Sequence, residues 1–98
     1  MSLDLIIRPE AETDLAEAFE WYEGRVPGPG LEFICTVDSL FSSIIRNSQA
    51  YAVVYMTVRR VLTRKFPYEV FFIVDVGGVA ILAVFHARRN PKRWQERI

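Results

Sequence analysis

Two apolar runs joined by a pair of glycines constrain this chain more than any other feature. "YEVFFIVDV" (68–76) and "VAILAVFHA" (79–87) flank Gly77-Gly78. Both are almost continuously hydrophobic and rich in β-branched and aromatic residues, so they read as central strands buried on both faces. The glycine pair gives a tight hairpin between them. Such strands need cover on each side, and the rest of a 98-residue chain must supply it. A chain of that length makes one domain, 1–98, with one modest core between two packed layers.

The N-terminal half supplies helices. "PEAETDLAEAFEWYEGRV" (9–26) predicts a helix with Pro9 at its first position and Glu10, Glu12 and Asp14 near the positive end of its dipole. Ala11, Leu15, Ala18, Phe19 and Tyr22 form one stripe at helical spacing. Glu10, Asp14, Glu17 and Glu20 flank the stripe and are expected in solvent. "PGPG" (27–30) breaks the chain before a second helix, "LEFICTVDSLFSSIIRN" (31–47). There Phe33, Val37, Leu40 and Ile44 make an apolar row that Ile34 and Phe41 widen. A short link between two amphipathic helices makes an antiparallel αα-hairpin, and its apolar face must cover a sheet.

The remaining segments complete that sheet. "LDLIIRP" (3–9) reads as a first strand, and "NSQAYAVVYMT" (47–57) as a loop leading into a strand. "VRRVLTRKF" (58–66) is a strand with basic residues on both alternating sets, placed where solvent reaches it. "NPKRWQERI" (90–98) predicts a short docked helix with Asn90 as N-cap and Pro91 first. The order is β-α-α-β-β-β-(α). This is an α+β domain: an antiparallel sheet of about four strands with a helical hairpin on one face.

Composition narrows the function. Hydrophobic residues make up 51% of the chain. Either the strands are buried on both faces or an apolar face is covered by a partner. The single cysteine, Cys35, excludes an internal disulfide, and with one histidine there is no zinc set. Cys35 lies in an apolar helical run and is expected to be a buried thiol in a reducing cytosol. No metal or cofactor is expected. Met1 to Ile7 lacks the charged and apolar regions of a secretory leader, and no run nears the ~18 apolar residues of a membrane helix. A cytoplasmic location away from membranes is the expectation. The net charge of zero hides a dipole: residues 1–57 carry three basic and nine acidic side chains, residues 58–98 nine basic and three acidic. A basic C-terminal half suits nucleic acid or an acidic protein.

The order of these segments, with "RPEAETDLAEAFEWYE", "VRRVLTRKFPYEVFFIVD" and "VAILAVFHARRNPKRW", resembles the RelE/ParE toxin superfamily of bacterial type II toxin–antitoxin systems. Members are also known as plasmid stabilisation proteins. The resemblance covers nearly the whole chain. It implies a RelE/ParE-like fold and a growth inhibitor neutralised by a cognate antitoxin, whose C-terminal segment folds across the toxin. RelE-like members cleave mRNA in the ribosome. ParE-like members are linked to DNA gyrase poisoning and carry no recognised catalytic centre. A homodimer is left open.

Metal-free RNA cleavage needs a proton acceptor, a proton donor and cations for the phosphate. Against the RNA-cleaving members, Arg64 stands in place of a lysine, and arginine is a poor proton carrier. Glu69 falls about where they have a phosphate-contacting arginine. Arg89 matches the arginine after the last strand. Trp94 and Gln95 stand near the C-terminal tyrosine position, and neither moves a proton. His86 and Tyr68 remain as proton-transfer groups, against plainer readings as a histidine anchoring the strand end and a tyrosine packed in the core, and Glu69 could act as a general base or pair with Arg64 or Arg89 across the sheet. The resemblance therefore leans to ParE. In the enzyme alternative, a ribosome-dependent mRNA endonuclease, His86, Arg64 and Arg89 do the work. A third alternative is a decayed toxin that only binds its antitoxin. For target or antitoxin binding, the candidates are Arg59, Arg60, Arg64, Arg88, Arg89, Lys92, Arg93 and Trp94. The first three with Lys65 are expected on one strand, and the two basic sets merge into one patch if their strands are neighbours.

Overall fold

The computed structural model describes residues 4–98. Residues 1–3, including Leu3 at the expected start of the first strand, lie outside the described residues. The elements are β1 (Asp4–Ile7), α1 (Pro9–Glu23), α2 (Pro29–Asn47), β2 (Val53–Tyr55), β3 (Val58–Leu62), β4 (Tyr68–Asp75), β5 (Gly78–His86) and α3 (Lys92–Gln95). A single 3-10 turn, Ser48–Ala50, joins α2 to β2. The α+β architecture with a helical hairpin on one face stands. The sheet has five strands in the order β1-β5-β4-β3-β2, and it is mixed, because β1 runs parallel to β5 while the other pairs are antiparallel. The added strand, β2, has only three residues, all exposed, so it carries no burial pattern to read.

Local chemistry explains the joints. The Glu23 carboxylate, at the end of α1, accepts from the Gly28 and Gly30 amides at 3.0 and 2.9 Å and so closes the start of α2. The turn between β4 and β5 is held by Asp75 Oδ1, which accepts from the Gly77 and Gly78 amides. Gly78 has φ +149°, and a Cβ there would collide with the Asp4 carbonyl oxygen. A glycine is needed at that point because β1 lies directly against it.

The register of β4 and β5 explains why both runs are apolar throughout. Phe71 pairs with Ala83 and Phe72 with Ile81, so Leu82 is an extra residue in β5. This bulge shifts the alternation by one. Val79 and Ile81 before it, and Val84 after it, all pack with Ala11, Ala18, Phe33, Val37, Phe41 and Ile44 of the helices. Leu82, Ala83 and Phe85 face the other way and join Val58, Phe71 and Trp94 in a second core. Trp94 of α3 stacks on Phe71 with ring centroids 4.1 Å apart, covering the outer face.

Asp14 departs from expectation. It is not a solvated flank of α1; it is 5% exposed. Its carboxylate accepts from Arg97 Nη1 at 2.7 Å and Nη2 at 3.1 Å, and from the Val84 amide at 3.0 Å, just past the bulge. Arg97 Nη1 also donates to the Leu82 carbonyl, and Arg8 donates to the Arg97 carbonyl. The reason is positional. Asp14 sits three residues after Ala11 and four before Ala18, inside the buried stripe. Beyond Ile81 no residue of β1 pairs with β5, so the Arg97 guanidinium reaches around that edge. Cys35 departs too: it lies on the exposed side of α2 and is no core thiol.

Removing one partner of a buried ion pair strands the other charge. Asp14→Ala is expected to cost about 3 kcal/mol, measured by urea unfolding. The double variant Asp14→Leu with Arg97→Leu is expected to lose less than Asp14→Ala alone. A loss under about 1 kcal/mol for Asp14→Ala would show that the pair does not hold the fold.

Candidate functional site

The strand order separates the two basic sets, since β4 lies between β3 and β5. They do not form one patch across neighbouring strands. Nor do four cations share β3, which ends at Leu62. Arg64 and Lys65 lie in the turn that follows, where Thr63 N donates to the Tyr68 carbonyl and Tyr68 N to the Phe66 carbonyl.

Each basic side chain has its own setting. Arg59 donates to the Tyr51 carbonyl at 2.6 Å and to Gln49 Oε1 at 2.8 Å, bracing the 3-10 turn. Arg60 reaches Glu69 Oε1 at 3.6 Å on the outer face; the partner of Glu69 is therefore Arg60, and neither Arg64 nor Arg89. Lys65 pairs with Glu32 of α2. Arg89 lies over the Phe85 ring at 4.0 Å, with Nη1 3.8 Å from Asp14 Oδ1. Among the described residues, Arg64, Arg88, Lys92 and Arg93 have no carboxylate within ion-pair distance. Trp94 is buried between Phe71 and Tyr55, so its ring is not available to stack on a base.

Of the three residues named for an RNA-cleaving centre, His86 and Arg89 line one hollow and Arg64 lines another. His86 pairs across the sheet with Tyr68, their ring centroids 5.3 Å apart, on the side of the helices. Glu69 and Phe85, the next cross-strand pair, point to the opposite face. Arg64 sits in the turn after β3, and Arg89 in the turn after β5, where its amide donates to the His86 carbonyl. His86 Nδ1 accepts from the Arg88 amide at 3.1 Å, which ties the ring to its own turn.

Two hollows flank the helices. The larger, about 550 Å³, runs between α2 and the end of β3. Thr36, Ser39 and Ser43 wall it, Leu40, Tyr51 and Val61 floor it, and Arg64 and Lys65 stand among its lining residues. The sequence contains this wall as hydroxyls at i, i+3 and i+7 of the second helix, a spacing that the apolar row obscures. The smaller, about 190 Å³, lies between α1 and the ends of β4 and β5, with Trp21, Tyr68, His86 and Arg89 around it. Exposed apolar side chains cluster at β2 and its turn: Val53, Val54, Tyr55 and Met56, the last 70% exposed with φ +51°.

A family profile described as "ParE toxin of type II toxin-antitoxin system, parDE" matches residues 5–91. The chain belongs to the ParE toxin family. The solved structure "Chromosomal ParDE TA system from P. aeruginosa" is similar to it, with a TM-score of 0.76 and 17% identity over 86% of this chain and 95% of that one. At that identity the likeness is one of fold. No curated protein gives a significant match. No helix among the described residues is long and apolar enough to cross a membrane, and no cluster of potential metal ligands occurs among them.

In this ParE-family chain two phenols, Tyr22 and Tyr68, are held in their protonated form. Burial raises Tyr22 above its ordinary 10.0. Burial also raises Tyr68, helped by Tyr22 and by the Asp14 and Glu17 carboxylates, and opposed by Arg89. Both phenols ionise more readily in the unfolded chain. Their contribution to stability is thus complete below pH ~10 and is lost as pH rises through the folded values. Absorbance titration is expected to show Tyr22 and Tyr68 ionising late. Urea stability should fall as pH rises past ten, and Tyr68→Phe should remove part of that fall. A stability flat with pH there would contradict the assignment.

Proposed function

We propose that this ParE-family protein is a growth-inhibiting toxin that binds a cytoplasmic target and does not cleave RNA, with DNA gyrase the target to test first. One observation carries the reading. Glu69 lies on the outer face about where RNA-cleaving members contact phosphate through arginine, and it is paired with Arg60. A carboxylate there repels phosphate and also neutralises the nearest cation. His86 and Tyr68 point to the other side of the sheet, away from this pair.

A cognate antitoxin is the partner that neutralises it. The hollow between α2 and β3 suits an extended acidic segment. Among the described residues no strand lies beside β3 beyond Arg60, so its edge can take main-chain hydrogen bonds. The Leu40, Tyr51 and Val61 floor takes apolar side chains, and Arg64, free of any carboxylate among the described residues, takes an acidic one. No cofactor enters this account.

Induced expression in a bacterium, followed by pulse labelling, is expected to stop DNA synthesis before protein synthesis. Protein synthesis stopping first would sink the binding reading and bring His86, Arg64 and Arg89 back as a cleavage set. His86→Ala is expected to leave growth inhibition intact.

Arg64→Glu is expected to weaken the complex with the product of the adjacent reading frame by about tenfold or more. Unchanged affinity by calorimetry would move the antitoxin to another surface.

A further inference from the structure

The first strand forms one border of the sheet and leaves that border open. β1 pairs with β5 alone, in parallel. The Arg8 amide donates to the Ile81 carbonyl at 3.1 Å, and the Asp4 carbonyl lies against Gly78. Backbone groups alternate in direction along a strand. Those of Asp4, Ile6 and Arg8 therefore point towards β5. The N–H and C=O groups of Leu5 and Ile7 point outwards, with no strand beside them among the described residues. An apolar edge without proline or lysine inside it is a template for another strand.

The side chains along this edge make it complementary to itself. Leu5 and Ile7 pack against the helical core. Ile6 therefore faces the outer side, where it is 64% exposed, and Asp4 and Arg8 share that side. Among the described residues neither Asp4 nor Arg8 has an opposite charge within ion-pair distance. Arg8 makes one long hydrogen bond, to the Arg97 carbonyl at 3.4 Å. An acid thus stands two residues before Ile6 and a base two residues after it. A copy turned end for end matches this pattern: Ile6 meets Ile6, Asp4 meets Arg8, and Arg8 meets Asp4. Leu5 then falls opposite Ile7, and their outward groups exchange hydrogen bonds as a bonded antiparallel pair. Centring the pairing on Leu5 or on Ile7 would instead set Ile6 against a charge.

We propose that β1 is an interface between two copies of this chain, paired antiparallel about Ile6 so that two five-stranded sheets join edge to edge. The dyad stands perpendicular to the sheet and keeps both helical layers on one side. Self-complementarity selects a second copy over a foreign segment, because an acid, an apolar residue and a base in this spacing are their own mate. The contact is small, which makes it an exchanging dimer with a Kd roughly between 1 µM and 1 mM. It does not depend on which target the toxin reaches, and it lies at the opposite border of the sheet from the α2–β3 hollow.

Sedimentation of the purified full-length chain at rising concentration is expected to show a monomer passing to a dimer. Asp4→Lys and Arg8→Glu each set like charges opposite one another at both contact points, and each should weaken the dimer about tenfold or more. An equimolar mixture of the two variants has opposite charges at both points and should dimerise as the parent chain does. Mixing does not restore a chain that has failed to fold, so this recovery reports the pairing itself. Ile6→Cys in a Cys35→Ser background should form a disulfide between copies on mild oxidation, since the central pair brings its Cα atoms to about 4.5 Å. Val76→Cys in the same background, fully exposed at the far hairpin, should not. A monomer at roughly 1 mM would overturn the proposal. So would a dimer insensitive to both charge variants, a mixture that stays monomeric, or equal cross-linking of the two cysteine variants. Leu5 and Ile7 amides protected from hydrogen exchange by the product of the adjacent reading frame, and not by concentration, would give the edge to the antitoxin and refute a second copy.

Discussion

A single carboxylate, Asp14, ties together three parts of the molecule. Its oxygens accept from a guanidinium in the C-terminal segment and from the β5 backbone beside the bulge, and Arg89 stands 3.8 Å away as a second counter-ion. Burying one charge without such partners would cost several kcal/mol, so its retention inside the helical stripe implies that all the donors are present together. The bulge at Leu82 is what makes the arrangement fit. It displaces the alternation of β5, leaves the Val84 amide facing α1, and lets Phe85 turn outward to support both Arg89 and Arg97. Helical layer, sheet and terminal helix are thereby registered to one another through one side chain.

That registration governs what the surface can do. Because β4 and β5 alternate strictly on either side of the bulge, Tyr68 and His86 are delivered to one face and Glu69 to the other. Tyr68 and His86 therefore line the smaller hollow with Arg89, and the Arg60–Glu69 pair lies on the opposite face. The outer face, filled by Trp94 stacked on Phe71, behaves as a second core and not as an open platform. What remains accessible is the periphery: the α2–β3 hollow, the α1–β5 cleft and the β2 edge.

Much of this architecture was legible in the residues. The glycine pair, the two apolar runs, the helical stripes and the Pro-Gly break led directly to the hairpins and the layers. Three features were hidden for distinct physical reasons. β2 is short and wholly exposed, and neither length nor alternation marks it. The parallel pairing of β1 with β5 is a long-range choice that no local pattern encodes. Asp14 looked like one more acid on an acidic helix, although its spacing from Ala11 and Ala18 put it in the buried stripe; Arg97 gave no sign of being its partner. The basic residues were found, yet their grouping was not, because adjacency in a sheet follows strand order and not chain order. Arg59 and Arg60 differ by one residue and so serve opposite faces.

The pairing of β1 with β5 also bears on how the chain comes into being. Asp4 meets Gly78, and Asp14 meets Arg97 across 83 positions. Contacts of such separation are closed late, after most loop entropy has been spent. During synthesis the helical hairpin can form on its own, but the first strand must wait for the fifth, and the buried carboxylate must wait for residue 97. A nascent or truncated chain thus lacks both the edge of its sheet and the counter-ion of its interior charge. For a protein of a toxin family, this topology delays completion of the fold until residue 97 has been added.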